Sequence, residues 1–399
     1  MGNPWIIRLL ILSVFLTLAK MAPGLAWMVV LACCGYAALA ILAHLGKLPE
    51  PVAKFFAGRG GAASAANKVP AILLERCEPP QAIENFLNQH IIGQPVACRE
   101  VGKMLYRRIH APRKNKPLGV FCFAGPPGVG KTLFAKVANS LLFDDNPATL
   151  LHVDMSQFSQ PHTVSNLFGQ PRGHAGSDQY GQLTAQLRDV PNCIILLDEF
   201  EKAHPDVHKR FLTAWNDGFI TEGSDGAHVS TQGAIFILTT NAASSQVGEI
   251  AERYADEPEE ILKATRNVLQ ESGFAPEVLS RIDQVFGFAP LRGLDVARVA
   301  ALEIQSLVRE SDLEIMHGGV DPLILLSSVI RYEKLGNSVT VRDVIRSIEN
   351  DLSDGIIQAK RDGARTIALR EEANRVYVDV MDFENAMSFS DHQEQRLFS

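Results

Sequence analysis

Apolar positions fall into three patterns along this chain. Residues 5–19 and 25–45 form two nearly unbroken apolar runs, interrupted in the first by Arg8, Ser13 and Thr17 and separated by a short break at 20–24. The second matches the roughly 20 residues a bilayer-crossing helix needs. The first is shorter, but Arg8 and Lys20 can reach the two interfaces and extend it. The middle of the chain carries short runs at 118–124, 193–197 and 233–239. Each is apolar at nearly every position, the pattern of a strand covered on both faces in a parallel sheet. After the first run, Leu133, Phe134, Val137, Leu141 and Leu142 recur at helical spacing. From 291 to 357 the spacing of Val296, Val299, Leu302, Ile304 and Leu307 predicts helices. Residues 366–379 alternate with period two about a turn at 371–374, which predicts a hairpin.

The pattern predicts an α/β fold: a parallel sheet flanked by helices, a small helical C-terminal domain and an N-terminal transmembrane helical segment. The expected divisions are a membrane hairpin or anchor (1–46), a flexible linker (47–80), a large domain (81–290), a helical lid (291–383) and a loose tail (384–399).

The first strand-like run leads directly into Gly125, Pro126, Pro127, Gly128, Val129, Gly130, Lys131 and Thr132. This is the phosphate-binding pattern G-x-x-x-x-G-K-[ST], with a strand before and a helix after. Its glycines let backbone N–H groups turn inward around phosphate oxygens, and the helix N-terminus adds partial positive charge. Lys131 is expected to reach the outer phosphates and Thr132 to ligate Mg²⁺. The 193–197 run ends in Asp198 and Glu199, two carboxylates where ligands of parallel sheets bind. Asp198 is the expected Mg²⁺ holder, directly or through water. Glu199 is the expected base for an attacking water. The third run ends beside Asn241, a polar group at the same sheet edge. ATP and Mg²⁺ are the implied substrate and cofactor.

Asp198 to Val207 resembles the region after the second nucleotide motif in Clp-family AAA+ unfoldases and disaggregases. Ile91, Ile92, Gly93 and Gln94 resemble that family's adenine-pocket segment, and 274–283 resembles the segment carrying its arginine finger. The similarity runs from about 81 to 379 and is greatest to the second ATPase module of two-module members. It implies a ring, commonly a hexamer, with Arg281 reaching a neighbour's nucleotide. It also implies a lid arginine facing the phosphates. Arg342 matches that position best, and Arg365, in the triplet with Gly363 and Ala364, is the other candidate.

Two departures matter. Threading members carry an aromatic pore loop where this chain has Gly173, His174, Ala175 and Gly176. Histidine offers less apolar contact than tyrosine and a charge that switches near pH 6.5. Peptidase-coupled members carry an exposed apolar tripeptide. The nearest stretch here is Val247, Gly248 and Glu249, followed by an acidic run at 256–260, so no peptidase docking loop is expected.

The nucleotide motif bears on the N-terminus. A cleaved signal peptide would export an ATP-dependent domain away from ATP. A single span and a two-helix hairpin remain, and the hairpin is favoured. Lys47, Lys54, Arg59 and Lys68 follow the second run, which places the large domain on the cytoplasmic side of a membrane, a bacterial inner membrane in this reading. The net charge of −7 gives no general attraction to nucleic acid, so no nucleic-acid partner is expected. The expected partners are copies of this chain, a protein client and the membrane. A nucleotide-gated scaffold of a secretion or DNA-transfer complex is the alternative. None of the six cysteines has metal-ligand spacing; Cys122 and Cys193 read as buried, reduced core thiols.

Overall fold

The structure, a computed structural model, describes residues 78–380 except 172, 174–178, 256, 336–340 and 373–374. The two N-terminal apolar runs, most of the expected linker, His174, Ala175 and Gly176 of the loop, and the tail lie outside the described residues. Among the described residues no helix is long and apolar enough to cross a membrane.

Two helices open the fold, α1 (Pro80–His90) and α2 (Pro95–His110), each with proline in the first turn. There the missing N–H costs nothing and the fixed φ favours the helix. The first half of the large domain then runs β1 (Gly119–Ala124), α3 (Lys131–Phe143), β2 (Leu150–Asp154), α4 (Val164–Phe168), α5 (Gln182–Asp189) and β3 (Ile194–Asp198). It continues through α6 (Pro205–Asn216), a two-stranded ribbon β4 (Phe219–Thr221) and β5 (His228–Ser230), and β6 (Ile235–Thr240). Next come α7 (Ser244–Arg253), α8 (Pro258–Glu271), α9 (Pro276–Leu279) and β7 (Gln284–Gly287).

Five strands form one parallel sheet in the order β2-β3-β6-β1-β7. The three apolar runs are its central strands, with β2 and β7 at the edges. Every residue of β1 and β6 is buried. Strand alternation assigns them to two faces. Cys122, Leu197 and Phe236 point to a core that includes Phe200, Phe211 and Trp215. Phe121, Phe123, Leu196 and Ile237 point to the opposite core with Phe134, Phe286 and Phe288. On that second face Phe123 packs 4.6 Å from Phe134 and 5.1 Å from Phe288, centroid to centroid.

The remaining elements are α10 (Leu294–Glu310), β8 (Glu314–Val320), α11 (Pro322–Leu335), α12 (Val341–Arg361), β9 (Thr366–Glu372) and β10 (Arg375–Val380). The expected hairpin is present as antiparallel β9 and β10. The expected helical lid with its hairpin gains one strand that was not expected: β8 pairs parallel to β9, making a three-stranded sheet. Ile304, Val308, Ile348, Leu352, Ile367 and Leu369 close the core between this sheet and the helices. Strand β8 was hidden because two of its seven residues are Gly318 and Gly319, which carry no apolar signal.

Candidate nucleotide site

The carboxyl ends of β1, β2, β3 and β6 open onto one cavity of about 760 Å³. Register explains the convergence. Ala124 stands opposite Thr240 and Asp154 opposite Asp198, so the strand ends arrive at one level. The end of β1 turns into the glycine segment. Gly125, Gly128 and Gly130 all hold positive φ (146°, 79° and 95°). At Gly130 a side chain would meet nothing within 4 Å, so backbone conformation, not space, requires glycine there.

Pro127, Gly128, Val129, Gly130, Lys131 and Thr132 line the cavity. Gly125 and Pro126 are not on its wall. Their carbonyls accept from the Lys131 ammonium at 2.7 and 2.6 Å, and Asn241 Oδ1 accepts from it at 2.8 Å. Burial lowers the Lys131 pKa to about 8 against the opposing pull of Glu201 and Asp198; Arg342 adds to the lowering. Leu133, expected on the buried face of α3, is 43% exposed and borders the cavity.

Asp198 gathers three donors. Thr132 Oγ1 lies 3.3 Å from each of its carboxylate oxygens, Thr239 Oγ1 donates to Oδ1, and His152 Nε2 sits 3.1 Å from Oδ2. Glu199 follows with φ of +55°, a conformation side-chain-bearing residues adopt at some cost and commonly at functional sites. Its N–H donates to Thr239 Oγ1 at 3.1 Å, while Asn241 Nδ2 donates to Glu199 Oε1 at 3.4 Å. The Asn241 N–H donates to Glu201 Oε1 at 3.0 Å. His152 and Glu201 were not anticipated. His152 lies on the edge strand β2, and Glu201 follows the carboxylate pair that draws the eye.

Ile92 lines the cavity with His90 and Ile91. The segment is clamped by Gln94, whose side-chain amide donates to the Ala289 carbonyl at 2.9 Å and accepts from the Ala289 N–H at 3.1 Å. From the C-terminal elements come Val299, Leu302, Glu303, Ser306, Val341, Arg342 and Ile345. Arg342 thus enters from the first turn of α12. Arg365 is not on the cavity wall; its carbonyl accepts from the Glu314 N–H at the start of the small sheet.

Arg281 is not on this cavity either; it is exposed beside Ile282 and Asp283 on a separate one. Val247, Gly248 and Glu249 lie within α7, with Val247 buried in the core. Of the four residues 173–176 expected to form a pore loop, Gly173 is described, with φ of 90°. The two ends of its loop meet at the buried Glu222. That carboxylate accepts from the Gly181 N–H at 3.3 Å, the Ser224 N–H at 3.0 Å and the Thr184 hydroxyl. Tyr180 is tied down: its hydroxyl donates to Asp225 at 2.6 Å and the Arg188 guanidinium covers its ring at 4.3 Å.

Comparison with known proteins accords with this geometry. Residues 116–285 match the AAA domain family (Cdc48 subfamily). The chain carries a Clp-type AAA+ ATPase module. Over 300 residues, 73% of this chain, it is 32% identical to a chaperone protein ClpB of Rhodopirellula baltica, covering 33% of that protein. A chaperone protein ClpB of Bacteroides thetaiotaomicron is 33% identical over 295 residues, 71% of this chain and 34% of the relative. The mitochondrial chaperone protein ClpB4 of Arabidopsis thaliana is 33% identical over 301 residues, 73% and 31% of the two chains. The chain therefore spans about a third of the length of these relatives. The module is of the ATP-hydrolysing class, and its residues suit ATP with Mg²⁺. The glycine cradle and Lys131 match a phosphate tail, and the oxygen donors Thr132 and Asp198 match a hard cation.

Proposed function

We propose that this chain is a membrane-anchored ring ATPase, hexameric as a Clp-type module implies, that remodels or unfolds a protein client at the cytoplasmic face of a bacterial inner membrane. The observation carrying the reading is that Lys131, Thr132, Asp198, Glu199 and Asn241 surround one cavity that Arg342 enters from the C-terminal helices. The names of the relatives as chaperones and the two apolar runs at the N-terminus support the client and the anchor.

Lys131 leaves the carbonyls of Gly125 and Pro126 to pair with the outer phosphates. Thr132 and Asp198 would hold Mg²⁺, which would supply positive charge against the phosphate oxygens. Thr239 orients Asp198 through its hydroxyl and Glu199 through the backbone. Asn241 holds one carboxylate oxygen of Glu199, and the carboxylate accepts the proton of the attacking water. Arg342 draws the C-terminal helices toward the phosphates as ATP binds. Arg281, exposed away from its own cavity, reaches the nucleotide of the next subunit, where a permanently charged planar guanidinium suits the transition state. Each cycle moves the loop bearing Gly173, His174, Ala175 and Gly176.

Replacing Glu199 with Gln should abolish turnover while ATP stays bound, and the trapped complex should retain its client. Normal hydrolysis by that variant would remove the base assignment.

One observation favours a second reading, a nucleotide-gated scaffold of a secretion or DNA-transfer complex that threads nothing. The loop lacks its tyrosine, and Tyr180, close by, is already engaged by Asp225 and Arg188. Client-stimulated hydrolysis that His174→Ala abolishes supports threading; hydrolysis and function unchanged by that substitution support the scaffold.

A further inference from the structure

Beneath the opposite, amino end of β1 lies a second polar cavity of about 300 Å³, lined by Arg113, Lys116, Val120, Trp215, Arg266, Ser280, Arg281, Ile282 and Asp283. Its charge is lopsided. Four cationic side chains face one carboxylate, and that carboxylate is already engaged. Asp283 accepts from Arg113 Nη2 at 2.5 Å and from the Val120 N–H at 3.0 Å, with Arg108 Nη2 at 3.8 Å. Arg266 reaches only as far as the Ile282 carbonyl, at 3.3 Å. Next to this lining, the Arg108 guanidinium is held below its usual range, first by burial and then by Arg113 beside it.

A second observation points the same way. Trp215 lines the cavity and is 2% exposed, yet its indole N–H is buried without an acceptor. Native proteins pair nearly all such donors. Arg113 Nε, of the same lining, is likewise buried and unpaired. A set of unspent N–H donors among guanidinium and ammonium groups is complementary to a compact oxyanion, which accepts several charge-assisted hydrogen bonds at once.

We propose that this cavity is a binding site for a phosphate-class oxyanion, held by Lys116, Arg266 and the Trp215 N–H and distinct from the nucleotide cradle. Because Arg281 shares the wall, a bound anion would hold it back from the neighbouring subunit. That consequence rests on the role proposed for Arg281; the binding does not.

The test is a titration of inorganic phosphate into the full chain saturated with ADP and Mg²⁺, at ionic strength held constant with chloride. Trp5→Phe and Trp27→Phe substitutions leave Trp215 as the one indole. The expected result is a saturable change in Trp215 emission with a low-millimolar midpoint. Lys116→Ala and, separately, Arg266→Gln should each raise that midpoint about tenfold, the loss of one charge-assisted contact. Lys131→Met should leave it in place. A response that never saturates, a midpoint untouched by both cavity substitutions, or a response lost with Lys131→Met would each overturn the proposal. Hydrolysis is not the readout, so a failure here is separable from a failure of the trans role of Arg281.

Discussion

The Thr132 hydroxyl lies 3.3 Å from both carboxylate oxygens of Asp198, joining the first turn of α3 to the end of β3. One comes from each of the two nucleotide motifs. Asp198→Asn keeps the shape but removes the charge a divalent cation requires. Turnover should fall by about two orders of magnitude or more, whereas ADP binding without Mg²⁺ should change little. Steady-state hydrolysis and calorimetric titration with and without chelator separate the two effects.

The lowered ammonium pKa of Lys131 has two consequences with pH. Its folded value, about 8, lies below the ordinary value of 10.5. Between these values the unfolded chain binds more protons than the folded one, so without nucleotide this residue makes stability rise from pH 8 toward 10.5. Nucleotide affinity runs the other way, since a neutral amine cannot pair with phosphate, and should fall as pH rises through about 8. Lys131→Met should remove both slopes, as read by urea unfolding and ADP titration.

Gly169, four residues before Gly173, has φ of 91° and ψ of 150°, and a side-chain carbon there would sit 1.5 Å from Glu222 Oε1. Gly169→Ala should therefore destabilise the fold by about 2–4 kcal/mol, through backbone strain and displacement of a buried carboxylate. The urea midpoint should drop without a change in slope. A shift below half a kcal/mol would mean that the clasp around Glu222 yields freely.

Burial pushes the thiols of Cys98, Cys122 and Cys193 up to about 12. All three should resist a thiol reagent at pH 8 in the native protein and react promptly in denaturant. Mass spectrometry of labelled peptides distinguishes them from Cys33, Cys34 and Cys77.

What could be read in advance followed from how strongly each segment is constrained. The central strands β1, β3 and β6 are covered on both faces, so their sequences are apolar throughout and their ends carry chemistry that packing does not explain. Strand β2 is half-exposed at four of its five positions or more open still, and its Leu150, Leu151, His152 pattern carries no period. His152 was missed with it. Glu201 escaped because its task, holding the Asn241 N–H, depends on a contact spanning 40 residues that no local pattern encodes. In the lid, helices were legible from spacing. Strand β8 was not, because pairing with β9 rather than its own composition makes it extended.

The helix α12 runs unbroken for 21 residues, Val341–Arg361, with Arg342 at the nucleotide cavity and Gly355 against Val378 of the hairpin. At 1.5 Å per residue it is about 30 Å long. Such a rod would act as a lever with one end at the nucleotide cavity. A tilt of about 10° at Val341 would carry its far end roughly 5 Å, a little less than one helical pitch. A shift at Arg342 too small to change the cavity's shape could thus become a stroke large enough to move whatever rests on β9 and β10.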